Sequence, residues 1–278
     1  MTDITHDSTL QTGTIMTELV AKAREARGSG HSRRDFFAST AKLAGATALG
    51  VAGVGFIHPI AAQAASITKP SSDTLQQILD IAATAETLAV TFYNTALESS
   101  GLPNVNSAAN RSYFQAAVIQ EAEHLLFLQK LGGKSLASQF YFPNNMFTDE
   151  TVFFPTSSLL EDFFISAYIA AAMDFSGVYS SGITKASPLL IGAAVQIAGI
   201  ECEHRALLNV AANISPPNNR IIESALVPNV NAAVPPLTPF LQGGQGFSST
   251  PVPFPSLQTV EQNAKPYGFG TFPPHKFV

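Results

Sequence analysis

The residues best equipped for chemistry sit in two short repeats, Glu121-Ala122-Glu123-His124 and Glu201-Cys202-Glu203-His204. Glutamate and histidine at i and i+3 lie on one face of a helix, so Glu121 with His124 and Glu201 with His204 can each reach a single metal ion. Only three histidines follow residue 64, at 124, 204 and 275. Chance seldom puts a glutamate three places before two of them. Glu123 and Glu203 fall roughly 200° around the helix from Glu121 and Glu201, which aims them away as solvated residues. Cys202 reads as a small packed side chain, and as the single cysteine it excludes an internal disulfide and any multi-cysteine metal site.

Two further carboxylates stand in apolar surroundings. Glu86 lies between Ala85 and Leu88, and Glu161 lies between Leu160 and Phe163. A buried carboxylate needs a cation or a proton, so each is a candidate third or fourth ligand. Tyrosine follows seven residues later in both cases, as Tyr93 and Tyr168. These tyrosines suit either hydrogen bonding beside a ligand or core packing. Arg205 reads as a surface ion pair or as a partner for a carboxylate behind the ligands. Four carboxylates and two imidazoles balance two divalent ions, and this donor set suits iron or manganese.

Four helical segments must position these residues. Apolar spacing predicts helices from Ser72 to Glu98, Ser107 to Leu131, Thr156 to Ser181 and Ser187 to Asn213, with Glu86, Glu121, Glu161 and Glu201 one to a helix. Those four glutamates are 35, 40 and 40 residues apart. The first and third connections are short and favour antiparallel neighbours. The second, from Gly132 to Pro155, is long enough to cross a bundle from end to end. After Ser215 the text turns rich in Pro and Gly, yet Phe240, Phe254, Phe269 and Phe272 predict a tail packed on the helices. Only Ser256 to Asn263 looks helical there.

Composition narrows the function further. The chain has 278 residues, 46% of them hydrophobic, and a formal net charge of −5, which excludes a general nucleic-acid surface. Six of the 15 basic residues lie in residues 1–64, where Arg33-Arg34 precedes a mildly apolar run from Leu43 to Ile57 and then Ala62-Gln63-Ala64. That order resembles a twin-arginine export signal cleaved after Ala64. The apolar run, interrupted by Gly45, Gly50, Gly53 and Gly55, is too short for a membrane span. Met1 and Met16 both remain open as the start. The expected organisation is a leader over 1–64, a helical bundle over 65–214 and a Pro/Gly-rich extension over 215–278.

With Glu from two helices and Glu-x-x-His from the other two, the chain resembles the bacterial ferritin-like domain family, which is related to plant desiccation-related proteins. Glu86 through Tyr93 is similar to that family's first-helix motif, and Glu161-Asp162 through Ala167-Tyr168 to its third. The resemblance spans roughly residues 70–213. It implies an all-α, ferritin-like four-helix bundle with a long crossover between helices 2 and 3. It also implies two metal ions, iron ahead of manganese, bridged by Glu121 and Glu201 with Glu86 and Glu161 terminal. The expected role is an exported protein, periplasmic or extracellular, that handles iron, dioxygen or peroxide. If it is an enzyme, it is a ferroxidase- or peroxidase-type oxidoreductase. The alternative is a non-catalytic envelope protein of stress or desiccation with a structural metal site. Expected partners are metal ions, dioxygen or peroxide and the twin-arginine export machinery, with room for a homo-oligomer.

Overall fold

A computed structural model describes residues 73–177, 188–223 and 226–272. The leader, Arg33, Arg34, the cleavage site and His275 lie outside the described residues. The described chain is all-α apart from one two-stranded ribbon. Four long helices form the body: α1 (Leu75–Glu98), α2 (Arg111–Lys130), α3 (Glu150–Phe175) and α4 (Pro188–Ala211). None is long and apolar enough to cross a membrane.

The start of α1 is fixed by Thr74. Its side chain accepts from the Gln77 amide while Gln77 reaches back to the Thr74 amide, a reciprocal cap. Asp73 instead holds the tail, accepting from the Asn231 amide at 2.9 Å. The helix is buried almost all round, from Ile81 to Leu97. Its threonines tolerate this because Thr84, Thr87, Thr91 and Thr95 each donate to the carbonyl four residues back.

The third helix begins six residues before the expected Thr156. Asp149 caps it by accepting from the Thr151 amide at 2.9 Å, and Pro155 sits inside it as the sixth residue. A proline normally marks a boundary because it removes an amide donor, but here it is absorbed near the N-terminal end.

The long connection crosses the bundle. At one end Gln76 and Asp80 of α1 bond to Gly132 and Lys134, and at the other Ser99 donates to the Phe147 carbonyl. Therefore α2 and α3 run the same way and both oppose α1. Within the crossing, Phe140 and Phe142 are fully buried, each worth roughly 1.5–3 kcal/mol of transfer free energy. Gln139–Phe140 forms β1, which pairs antiparallel with β2 (Val252–Pro253) from the tail.

In the described part of the tail, Phe240 is in the core, with Phe254, Phe269 and Phe272 partly buried against it. It contains a short 3-10 helix (Val230–Ala233), α5 (Val234–Gln242) and α6 (Leu257–Asn263). The α5 helix was not expected from its proline-rich sequence. Prolines are tolerated at its first turn, where the amides have no intrahelical acceptor.

Candidate metal centre

All six sequence-derived ligands converge in the middle of the bundle. Glu86 comes from α1, Glu121 and His124 from α2, Glu161 from α3, and Glu201 and His204 from α4. The i, i+3 spacing works as expected, because each histidine stands one turn above its own glutamate and on the same face. Glu121, Glu161 and Glu201 have no exposed surface, and Glu86 and His204 are each 2% exposed.

Two groups of four residues emerge. Glu86, Glu121, His124 and Glu201 place their donor atoms within 4.8 Å of one another, as do Glu121, Glu161, Glu201 and His204. Glu121 and Glu201 belong to both groups, the arrangement required of carboxylates that bridge two ions. His204 Nδ1 is 3.0 Å from both Glu121 and Glu201. His124 Nδ1 is 3.6 Å from Glu86, 3.5 Å from Glu121 and 3.4 Å from Glu201.

The donor set fits a pair of metal ions. Glu86 Oε2, both oxygens of Glu121, Glu161 Oε2, Glu201 Oε1 and His124 Nδ1 are buried without a hydrogen-bond partner. Buried polar atoms are almost always paired, so this many orphaned acceptors pointing at one place calls for cations. Protons take part of that role otherwise. Burial raises Glu121 and Glu161 well above the usual carboxylate range, reinforced by repulsion from Glu201. Burial opposes charge on His124 and His204 too, but the carboxylates around them outweigh it and raise both imidazoles. Burial alone would raise Glu201; the two neighbouring imidazoles, His124 and His204, reverse this and lower it.

The tyrosines join the site crosswise. Tyr93 of α1 donates to Glu161 of α3, and Tyr168 of α3 donates to Glu86 of α1. Each phenol occupies one carboxylate oxygen and leaves the other aimed inward. Burial, then the facing carboxylate, raises both phenols well above their ordinary value, so they stay protonated donors. Residues 74–213 match the family model described as ferritin-like domain. The chain belongs to the ferritin-like domain family. No curated protein and no solved structure matches it significantly.

Of the two readings open for Arg205, the geometry matches the partner of a carboxylate behind the ligands: it is 5% exposed and pairs with Asp162, the residue after Glu161, at 3.4 Å and with Glu223 at 2.5 Å. Arg220 closes the quartet, 2.5 Å from Asp162 and 3.4 Å from Glu223. Gln120, to which sequence reasoning assigned no role, places its Oε1 2.9 Å from His204 Nε2. Its only sequence signal is that it precedes a ligand in a helix otherwise legible as core. Glu203 is exposed, as its helical position requires. Glu123 is half-buried and accepts from the Gly270 amide at 2.7 Å, so it fastens the tail rather than facing water. The Cys202 thiol is half-buried and pushed up to about 11, first by burial and then by Glu223, which makes it a poor nucleophile.

One turn beyond the Glu86 end lies an apolar cavity of about 40 Å³. Its wall includes Ala85, Tyr168, Ala171 and Ala194 from the bundle, with Val230 and Leu237 supplied by the tail.

Proposed function

We propose that this ferritin-like protein holds two iron ions and uses them to react with dioxygen or peroxide after export from the cytoplasm. The observation that carries this reading is the pair of four-residue ligand groups that share Glu121 and Glu201. Two bound ions would supply the electrons that such an oxidant accepts. The chain's own residues do the rest. Tyr93 and Tyr168 fix the rotation of Glu161 and Glu86, so one oxygen of each stays directed at the centre. The Nε2–H of His204 donates to Gln120 Oε1, which leaves Nδ1 as the ligating atom. The apolar cavity offers water no partners and suits a small apolar oxidant, which favours dioxygen over peroxide.

Anaerobic loading of the purified protein with Fe(II), followed by a pulse of dissolved oxygen, tests this. Oxygen uptake should run roughly tenfold or more faster than for the same iron in buffer. Uptake no faster than in buffer, with two ions bound, would leave the metal as a structural staple and defeat the catalytic reading.

Export rests on Arg33 and Arg34 ahead of the apolar run. Replacing both by lysine should retain uncleaved precursor in the cytoplasm, read by fractionation and the mass of the chain. Normal export of that variant would overturn the twin-arginine assignment. Such a route fits a chain with one cysteine, which gains nothing from oxidative folding outside.

A further inference from the structure

The centre has approximate internal two-fold symmetry. Helices α1 and α3 carry Glu and Tyr seven residues apart, α2 and α4 carry Glu-x-x-His, and the tyrosine bonds cross reciprocally. Symmetry of this kind would make the two metal positions alike. Three features break it, and all three favour the same half.

First, Gln120 precedes Glu121 and bonds His204 across the bundle at 2.9 Å. The corresponding residue before Glu201 is Ile200, which has no polar atom to offer His124. Second, the residues that follow Glu161 and His204 are Asp162 and Arg205, tied to Arg220 and Glu223 in an ionic quartet. Their counterparts after Glu86 and His124 are Thr87 and Leu125, which carry no charge. Third, the side chain of His204 is 1% exposed against 13% for His124. Tyr93 also packs edge-on against His204, with ring centroids 5.8 Å apart.

We propose that the two metal positions are functionally unequal: the Glu161–His204 position holds a tight resident ion, and the Glu86–His124 position holds an exchangeable one. The inference rests on the two-metal reading above and adds which residue makes the difference. Gln120 is a positioning residue. It holds the His204 ring in the rotation and tautomer that ligate, so the ion meets a ligand already ordered. Among the described residues, no hydrogen bond holds the His124 ring in the same way. Removing an outer hydrogen bond of this type from a ligating histidine lowers metal affinity about 10- to 100-fold. The exchangeable position is also the one beside the apolar cavity, where Ala85 and Tyr168 flank Glu86. The loosely held ion and the apolar cavity therefore lie on the same side of the centre.

The test uses the full-length metal-free protein and Co(II) alone. Calorimetric titration should resolve two binding steps at least tenfold apart in affinity. Crystals grown at one equivalent should show anomalous scattering at Glu161–His204 and little at Glu86–His124. Gln120→Leu should weaken the first step by about 10- to 100-fold and leave the second unchanged, while Gln120→Glu, which keeps an acceptor for Nε2–H, should retain the tight step. Retention by Gln120→Glu also shows that the position tolerates change without loss of the fold. Two ions of equal affinity, cobalt filling Glu86–His124 first, or a Gln120→Leu protein with an unchanged first step would each overturn the inequality while leaving the two-metal reading intact. Fewer than two ions at saturation would overturn both.

Discussion

Glu201→Gln loses at least one of the two metal ions, while Glu203→Gln keeps both. The two substitutions change the same residue type two positions apart on α4, so any difference is geometric. Glu201 has no exposed surface; Oε2 lies 3.0 Å from His204 and Oε1 3.4 Å from His124, so it faces both four-residue groups. A carboxamide there removes one negative charge and replaces a donor oxygen by an NH₂ group that repels a cation. Glu203 is exposed and contributes neither charge nor shape to the interior. The same contrast holds on α2, where Glu121→Gln should lose metal. Glu123→Gln should not, since glutamine keeps an oxygen able to accept from the Gly270 amide. Elemental analysis of the four purified proteins decides it. Metal lost from Glu203→Gln and Glu123→Gln, but retained in Glu201→Gln and Glu121→Gln, would mean that the helical register of the centre is wrong.

How the sequence encodes this centre explains both what is legible and what is hidden. Ligands are legible because charge in an apolar helix is costly. Glu86 and Glu161 stand out against Ala, Leu and Phe, and their 35- and 40-residue spacing to the Glu-x-x-His pairs assigns one ligand set to each helix. The helices themselves follow from periodicity, with errors confined to ends. Pro155 looks like a start because proline usually lies at one, but the Asp149 cap six residues earlier outweighs it. Gln120 is hidden for a different reason. A neutral carboxamide within a helix has no local signature, and its partner is 84 residues away on α4. Arg205 is left between two readings for the same cause. Its partner Glu223 and the fourth member Arg220 come from a segment after Pro216-Pro217 that carries no period to read. The tail's α5 is masked by prolines that the first turn of a helix accommodates. The candidate ligands are visible in one strand of text, whereas the residues that would tune them depend on which helices meet.

Metal removal should destabilise the protein, and by more at pH 8 than at pH 5. In the metal-free protein Glu121 and Glu161 are raised by burial and by Glu201, and His124 and His204 are raised by the carboxylates around them. The folded form therefore binds more protons than the unfolded chain from the usual carboxylate range upward. Its stability is greatest at the acid end of that window and falls as pH rises through the raised values, by about 1.4 kcal/mol per pH unit for each extra proton held. Glu201 has the opposite shift, but its contribution is already complete above the ordinary carboxylate value and adds no slope in this window. Metal needs the same groups deprotonated, so its binding releases protons and strengthens as pH rises. Ligand at about 100 times its Kd adds roughly 2.7 kcal/mol, which for a bundle of this size is a Tm increase of about 5–10 °C. Thermal unfolding of chelated and metal-loaded protein at pH 5, 6.5 and 8 should show two diverging lines, the chelated one falling and the loaded one holding or rising. A chelated protein whose Tm climbs from pH 5 to pH 8, or matches the loaded protein at pH 8 with chelation confirmed by elemental analysis, would show that these buried groups are not crowded acids and bases awaiting a cation.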